Sequence, residues 1–484
     1  MLLLTWKTRG RRGMLGLKQL QHRQEAIMLS VSQALKRIKT HITDTLPESA
    51  IRNILDQLDI PFRERTLTPV VTTYLFLRQI LHGNTAVGHL RHISGLDFTD
   101  SAYCQARERL PVSFFFRLHH AVLLPCRRDA ERDRSSRWHG HRLFGIDGSS
   151  FSMPDTEELR DYFGYPSGQK DGCGFPTAHL LVQFDLEHGF LLRALASPGR
   201  THDMKQAAAM HRDLGPGDVL LGDRAFCSYA HLALCRKRQL HGLFRAHQRQ
   251  IISFRPGRRH AGPGKVRPEE KGLPHSKWLK KLGKNDQLVE YFKPKDKPDW
   301  MTAAEYAALP ESITVREVRF RVRIPGRRPR VITIVTTLLD AERYPAKDLA
   351  RLYEKRWQVE VNLKHLKETL KMDVLRCQTF KGVIKELLMF VVVYNLVRRV
   401  MVEAARRQGV SPNRISFVDA LRWLKEARVG DELPRLKVNP ESSGRYEPRV
   451  RKRRPKPYAL MTKPRAELKK ELLKQVPDEK EDAA

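Results

Sequence analysis

Apolar positions along the chain follow two different periods. From about residue 20 to 125 they recur every three or four residues, as in AIMLSVSQALKRIKTHI (26–42) and TPVVTTYLFLRQILHG (68–83), with Pro and Gly punctuating the ends. That spacing predicts helices. The period then changes. RLFGIDGSSFSM (142–153) is a short apolar run ending in Asp-Gly, and AHLLVQFDLEHGFLLRALAS (178–197) has the form of a hairpin turning near EHG. DVLLGDRAF (218–226) is another strand-like run that ends at an acid, followed by a helix over YAHLALCRKRQL (229–240) and a short strand at GLFRAH (242–247).

Residues from about 250 to 300 are rich in Gly, Pro, Lys and Arg and show no clear core periodicity. In VRFRVRIPGRRPRVITIVTTLL (318–339), Val318, Phe320, Val322 and Ile324 alternate with Arg319, Arg321 and Arg323. This is the two-residue period of a strand with one apolar and one cationic face. Pro-Gly-Arg-Arg-Pro then predicts a hairpin turn into a second strand at 331–338. Helices resume at about 346 and run past 405; from about 430 the tail is Pro-rich and basic. The order is helices, a mixed sheet region, a β-rich insertion, helices and a basic tail, with no internal repeat.

Composition narrows the partner. A chain of 484 residues is long for one core and suggests two or three domains. It carries 89 Lys+Arg against 54 Asp+Glu, a formal charge of +35. Such an excess points to nucleic acid, because phosphate neutralisation with counterion release drives that binding; a ribosome-associated protein or a basic surface without a specific partner are the plainer readings. The six cysteines (104, 126, 173, 227, 235, 377) contain no C-x-x-C pair. This fits a reducing cytosol and argues against a disulfide framework and a zinc finger. The opening MLLLTWKTRGRRG has too short an apolar run for a secretory segment. LLMFVVVYNLV (387–397) is about half a membrane span, so it predicts a buried helix and no membrane role.

Three acids stand in contexts suited to chemistry. Asp147 follows LFGI and precedes Gly, which would project a carboxylate from a strand end; Asp-Gly is also a common turn pair. Asp223 repeats the device after VLLG, with an ion pair to a neighbouring Arg as its plain reading. Asp155, before Thr-Glu-Glu, resembles a helix N-cap. The Thr-His-Asp at 201–203 lacks further ligands at metal spacing and reads as a loop or cap. In YEKRWQVEVNLKHLK (353–367), a helix at about 100° per residue puts Tyr353, Arg356, Glu360, Lys364 and Lys367 on one face roughly 80° wide. Leu352, Val359, Leu363, Leu366 and Leu370 form an apolar stripe beside it, and Glu354 points away. Salt bridges from Glu360 to Arg356 and Lys364 are the plain reading of that face. A strand–hairpin–strand pattern with acids at strand ends suggests an α/β core of ribonuclease-H type.

With these acids in hand, the sequence resembles the DDE transposases of bacterial insertion sequences. The branch it resembles, that of insertion sequence four and transposon five, carries a Y-(2)-R-(3)-E-(6)-K signature. Tyr353, Arg356, Glu360 and Lys367 hold those spacings intact. GIDGSSFSMPD is similar to the family's first-aspartate block, and GDVLLGDRAFCSY with GLFRAH to its second, where the family usually has Gly in place of Ala225. FRERTLTPVVTTYLFLRQIL (62–81), YNLVRRVM (394–401) and PRVRKRRPKPY (448–458) also resemble family segments. The likeness covers roughly residues 28 to 465; the first 27 would reflect an early start codon, with Met28 as the alternative.

The resemblance implies a division of the chain: a basic extension (1–27), a helical DNA-binding domain (28–135), a ribonuclease-H-like core in two parts (136–250 and 341–405) around a β-strand insertion (251–340), and a basic helical C-terminal region (406–484). It implies Asp147, Asp223 and Glu360 as catalytic acids holding two Mg2+ (or Mn2+) ions, a pair that activates the attacking oxygen and stabilises the leaving one. It assigns Tyr353, Arg356 and Lys367 to DNA phosphate, and a Trp of the insertion, Trp278 or Trp300, to stacking with a flipped base. Arg319, Arg321 and Arg323 would join the DNA-binding surface. The expected partner is double-stranded DNA, as inverted-repeat ends and target, bound by a homodimer in the bacterial cytoplasm at the nucleoid. A DDE-like nuclease that cuts without joining and a domesticated, non-catalytic DNA-binding protein remain as alternatives.

Overall fold

The computed structural model describes residues 46–474 apart from 64, 167–171, 200, 202, 263–267, 323–329, 428–431 and 441–460. The helix expected over 26–42, the basic run at 445–458 and Arg323 therefore lie outside the described residues.

Five helices open the described chain: α1 (Glu48–Gln57), α2 (Pro69–Leu81), α3 (Val87–Ser94), α4 (Asp100–Arg109) and α5 (Val112–Arg132). α2 begins where expected. Pro69 occupies its first turn and the Thr68 hydroxyl accepts from Val71 N at 3.2 Å. Mixed α/β structure follows: β1 (Leu143–Ser152), α6 (Glu157–Phe163), β2 (Thr177–Asp185), β3 (Leu191–Pro198), α7 (Met204–Met210), β4 (Val219–Gly222), α8 (Tyr229–Lys237) and β5 (His241–Arg245). Then come β6 (Ser276–Gly283), β7 (Asp286–Phe292), α9 (Ala303–Ala307), β8 (Ser312–Val322) and β9 (Arg330–Thr336). The chain continues through α10 (Ala346–Lys355), α11 (Trp357–Lys364), a π-helical turn (His365–Thr369), α12 (Phe380–Gln408), α13 (Phe417–Glu426) and α14 (Arg465–Leu473).

The nine strands of the described residues join one sheet in the order β3-β2-β1-β4-β5-β9-β8-β7-β6. β1, β4 and β5 run parallel, while β2 and β3 extend one side as an antiparallel hairpin. The β-rich insertion is continuous with this sheet, because β9 pairs antiparallel with β5 (Leu243 opposite Thr336). The run at 387–397 lies in α12 and is buried throughout, against α5 and α13 among others. Among the described residues no helix is long and apolar enough to cross a membrane.

The stretch without core periodicity contains the β6–β7 hairpin, which the pattern does not reveal. Beside the core residues Val289 and Tyr291, its buried positions Asp286 and Gln287 are polar and pair with β8. Arg316 is fully buried and its guanidinium meets Asp286 at 2.8 and 2.5 Å. Glu317, also buried, accepts from Gln287 Nε2 at 2.7 Å and Tyr291 Oη at 2.8 Å. Core positions filled by mutually satisfied polar groups erase the apolar alternation on which a strand is recognised.

Candidate active site

The sheet register brings the two aspartates together. Leu143, Phe144 and Gly145 of β1 lie level with Val219, Leu220 and Leu221 of the parallel β4. Two residues further on, Asp147 comes level with Asp223; residues at one level of adjacent strands share a face. The β4–β5 register, in which Gly222 faces Phe244, likewise puts Arg245 beside Asp223. Asp223 directly follows the carboxyl end of β4, whereas Asp147 stands in the middle of β1, which stays paired with β2 out to Ser152, so the strand end and turn expected at Asp147-Gly148 are not formed.

Glu360 arrives from α11, and a glycine lets it come close. A Cβ on Gly145 would lie 2.4 Å from Val359 Cγ2, so only glycine allows α11 to settle on β1 here. Gly148, on the other side of Asp147, has no room for a Cβ because Asp203 fills the space at 2.2 Å. Asp203 in turn contacts His179 Nε2 at 2.5 Å.

Asp147, Asp223 and Glu360 line one cavity of about 470 Å3, together with Tyr353 and Arg356. Arg356 lies between two of the acids, 2.6 Å from Glu360 and 3.7 Å from Asp147. Its guanidinium is also 5.8 Å from the Tyr353 ring centre. Asp147 accepts from Gly148 N at 2.9 Å, and Asp223 from Ala225 N at 2.8 Å. Burial pushes the Asp147 carboxyl up to about 6; Arg356 works against this, while Asp223 and Glu360 add to it. Burial likewise pushes the Tyr353 hydroxyl up to about 12, so it stays protonated and able to donate. Three carboxylates converging on one cavity form the all-oxygen donor set that a hard divalent cation takes.

The helical face is altered in detail. Tyr353 to Lys367 is not one helix: α10 stops at Lys355, α11 starts at Trp357, and the π-helical turn follows. Arg356 at the junction keeps helical dihedrals (φ −52°, ψ −32°), so Tyr353, Arg356 and Glu360 stay on one side. Leu352, Val359, Leu363, Leu366 and Leu370 are buried, as the stripe predicts, and Glu354 is exposed. Lys364 departs from expectation. It is turned to solvent and its nearest acid is Glu368 at 3.9 Å, not Glu360. Lys367 donates to Ser149 Oγ at 3.1 Å, two residues along β1 from Asp147.

Asp155 is not an N-cap. Thr156 holds that position of α6, and the Asp155 carboxylate receives Arg465 at 2.5 Å and the Tyr165 hydroxyl at 2.9 Å. Arg319 is half-buried and committed to the insertion itself: it donates to Thr333 Oγ1 and Ile252 O and lies over the Phe254 ring. Arg321 is exposed on the same strand. Trp300 packs against the core, whereas Trp278 lies half-buried on the edge strand β6 with its Nε1 buried and unpartnered.

Three further arginines line the cavity that sequence reasoning did not select: Arg224, Arg245 and Arg330. Arg224 and Arg245 follow strand runs directly, a pattern legible once strand register is known. Arg330 reaches the cavity from β9, where it pairs with Val322.

The family described as "Transposase DDE domain" matches residues 138–396, more than half of the chain. "Transposase InsG for insertion sequence element IS4" of Escherichia coli (strain K12) is 26% identical over 347 residues, which is 67% of this chain and 71% of that protein. "Putative transposase InsZ" of the same organism is 34% identical over 132 residues, 26% of this chain and 42% of that one. Among solved structures, the cryo-EM structure of the piggyBac transposase synaptic complex with hairpin DNA aligns over 83% of this chain and 80% of that one. The identity is 11% and the TM-score 0.37.

Proposed function

The chain belongs to the transposase DDE domain family, and from that premise we propose that Asp147, Asp223 and Glu360 are the acids of its active centre. It is a DNA transposase, an enzyme that cuts and joins DNA with the help of divalent metal. The observation that carries the residue assignment is the convergence of these acids, from two neighbouring strands and one helix, on a single cavity that also holds Arg356. The finer readings are a ribonuclease-H-like core, supported by the β3-β2-β1-β4-β5 half of the sheet, and two Mg2+ or Mn2+ ions.

Bound there, such ions would supply an activated nucleophile and stabilise the leaving oxygen. The chain's own groups have separate tasks. The carboxylates of Asp147, Asp223 and Glu360 are the ligands. Arg356, Arg224, Arg245 and Arg330 provide forks that pair with phosphate oxygens, and the Tyr353 hydroxyl and Lys367 ammonium add a donor and a point charge. The DNA would be the inverted-repeat ends of an insertion sequence and a target duplex. Synapsis of two ends requires two subunits, and the setting would be the nucleoid of a bacterial cytoplasm. Trp278, half-buried on the edge strand β6, suits base stacking better than Trp300, which packs against the core.

The test is a duplex carrying the element's end, scored for both nicking and strand transfer. Asp147→Asn, Asp223→Asn and Glu360→Gln should each abolish both while end binding persists, and Glu354→Gln should match the parent. Normal cleavage by any of the three acid variants removes that residue from the site.

A further inference from the structure

Behind β4 and β5 the apolar layer contains three side chains that cleavage does not use. His211 sits in the short 3-10 turn after α7; His231 and Cys235 lie four residues apart on one face of α8. They are 3%, 0% and 0% exposed, and their nitrogen and sulfur atoms lie within 4.8 Å of one another. We propose that His211, His231 and Cys235 form a structural transition-metal site with two imidazole nitrogens and one thiolate sulfur as ligands, and with Zn2+ as its ion.

The geometry is close to that of a loaded site. His211 Nε2 is 2.9 Å from His231 Nε2 and 3.9 Å from Cys235 Sγ. Tetrahedral zinc, with Zn–N about 2.0–2.1 Å and Zn–S about 2.3 Å, spaces its ligands about 3.3 Å (N to N) and about 3.6 Å (N to S). Those two separations need change by only a few tenths of an ångström, and the third, between His231 and Cys235, lies within 4.8 Å. His231 Nδ1 donates to Phe226 O at 2.8 Å, which fixes the tautomer and leaves the Nε2 lone pair facing the cluster. To bond that lone pair, His211 must carry its proton on Nε2, and its Nδ1 is then a buried lone pair with no partner. Ligation through His211 Nε2 would move that proton to Nδ1.

Burial holds both imidazoles in the neutral form that ligates metal, His211 down at about 2 and His231 at about 4. It also pushes the Cys235 thiol up to about 12. Loading therefore displaces a proton: the S–H bond breaks, a sulfur–zinc bond forms, and one H+ leaves to solvent. Among the described residues no fourth His, Cys, Asp or Glu joins the group. Through His231 and Phe226 the ion would brace the turn Arg224–Phe226 that directly follows Asp223.

Untagged full-length protein from zinc-supplemented cells, analysed by elemental mass spectrometry, should carry about one zinc per chain. Asp147→Asn should retain it, separating this ion from the acid cavity, while Cys235→Ala should lose at least nine-tenths of it. Adding Co2+ to stripped wild-type protein should produce a thiolate-to-cobalt charge-transfer band, a readout that stands even if Cys235→Ala fails to fold. Wild-type protein with neither zinc nor that band, or folded Cys235→Ala with full zinc, overturns the proposal.

Discussion

Gly145→Ala tests how strictly Glu360 must be placed. The added methyl would lie 2.4 Å from Val359 Cγ2 and 2.9 Å from Leu186 Cδ2. Ordinary carbon–carbon contact is about 3.5–4.0 Å, so the first approach is short by about 1 Å or more. The Leu186 methyl ends a flexible side chain and can turn aside. Val359 is β-branched, stiff at χ1 in a helix, and fully buried, so the helix itself must shift. Glu360 is the next residue and moves with it. Overpacking of this kind costs about 1–3 kcal/mol of stability, and a misplacement of about 1 Å at a reacting centre costs about 100-fold in rate. Gly145→Ala should therefore lower nicking about 100-fold, with end binding intact and a small fall in the urea midpoint. Val359→Ala in the same chain removes the offending methyl and should restore most of the rate. If Gly145→Ala cleaves normally, or the double variant is no better than the single one, close packing of α11 on β1 does not position the acid.

Asp147→Asn should stabilise the metal-free protein. Because burial raises this carboxyl to about 6 from an ordinary 3.8, its contribution is fully present below the ordinary value and lost as pH rises through about 6. The variant's advantage in urea should thus approach about 3 kcal/mol at most near neutral pH and vanish by about pH 4; a destabilised variant at pH 7 refutes the burial argument. Arg356→Lys keeps the charge but loses the fork that reaches both Asp147 and Glu360, and should retain under about a tenth of wild-type nicking. Arg330→Ala should weaken binding of all DNA sequences alike and reduce the slope of log affinity against log salt by about 1, as measured by titration at several ionic strengths. An unchanged slope would place Arg330 away from phosphate.

The acids were legible for a local reason. An apolar run ending at Asp147 or Asp223 is visible within about ten residues of sequence, and the face joining Tyr353, Arg356 and Glu360 survives a helix break because Arg356 itself stays helical. What sequence could not supply was long-range pairing. That β1 and β4 lie side by side, and that β9 docks on β5, depends on partners far apart in the chain. Arg224, Arg245 and Arg330 could not be distinguished in a chain with 89 Lys+Arg until that register was known. In the β6–β7 hairpin, Asp286 and Gln287 take buried positions by pairing with Arg316 and Glu317 of β8 rather than by packing as hydrocarbon, which breaks the apolar alternation. Lys364 keeps its four-residue spacing from Glu360 within α11, but its side chain turns to solvent and Glu368 while Arg356 holds Glu360, a choice of partner that a helical wheel does not fix.

The position of Arg356 ties the acids to the substrate. Three carboxylates converging on one cavity repel one another, and the raised Asp147 carboxyl records part of that cost. Arg356 offsets it by bridging Asp147 and Glu360. Under the proposed function, a DNA phosphate entering the cavity is a competing anion for the same guanidinium. As Arg356 turns to phosphate, Glu360 at 2.6 Å and Asp147 at 3.7 Å are released to act as ligands. Under that proposal one residue would serve two states, holding the acids together without substrate and gripping DNA with it. The spacing of four between Arg356 and Glu360 is what permits both, since it keeps the pair on one side of α11 whichever partner the arginine holds.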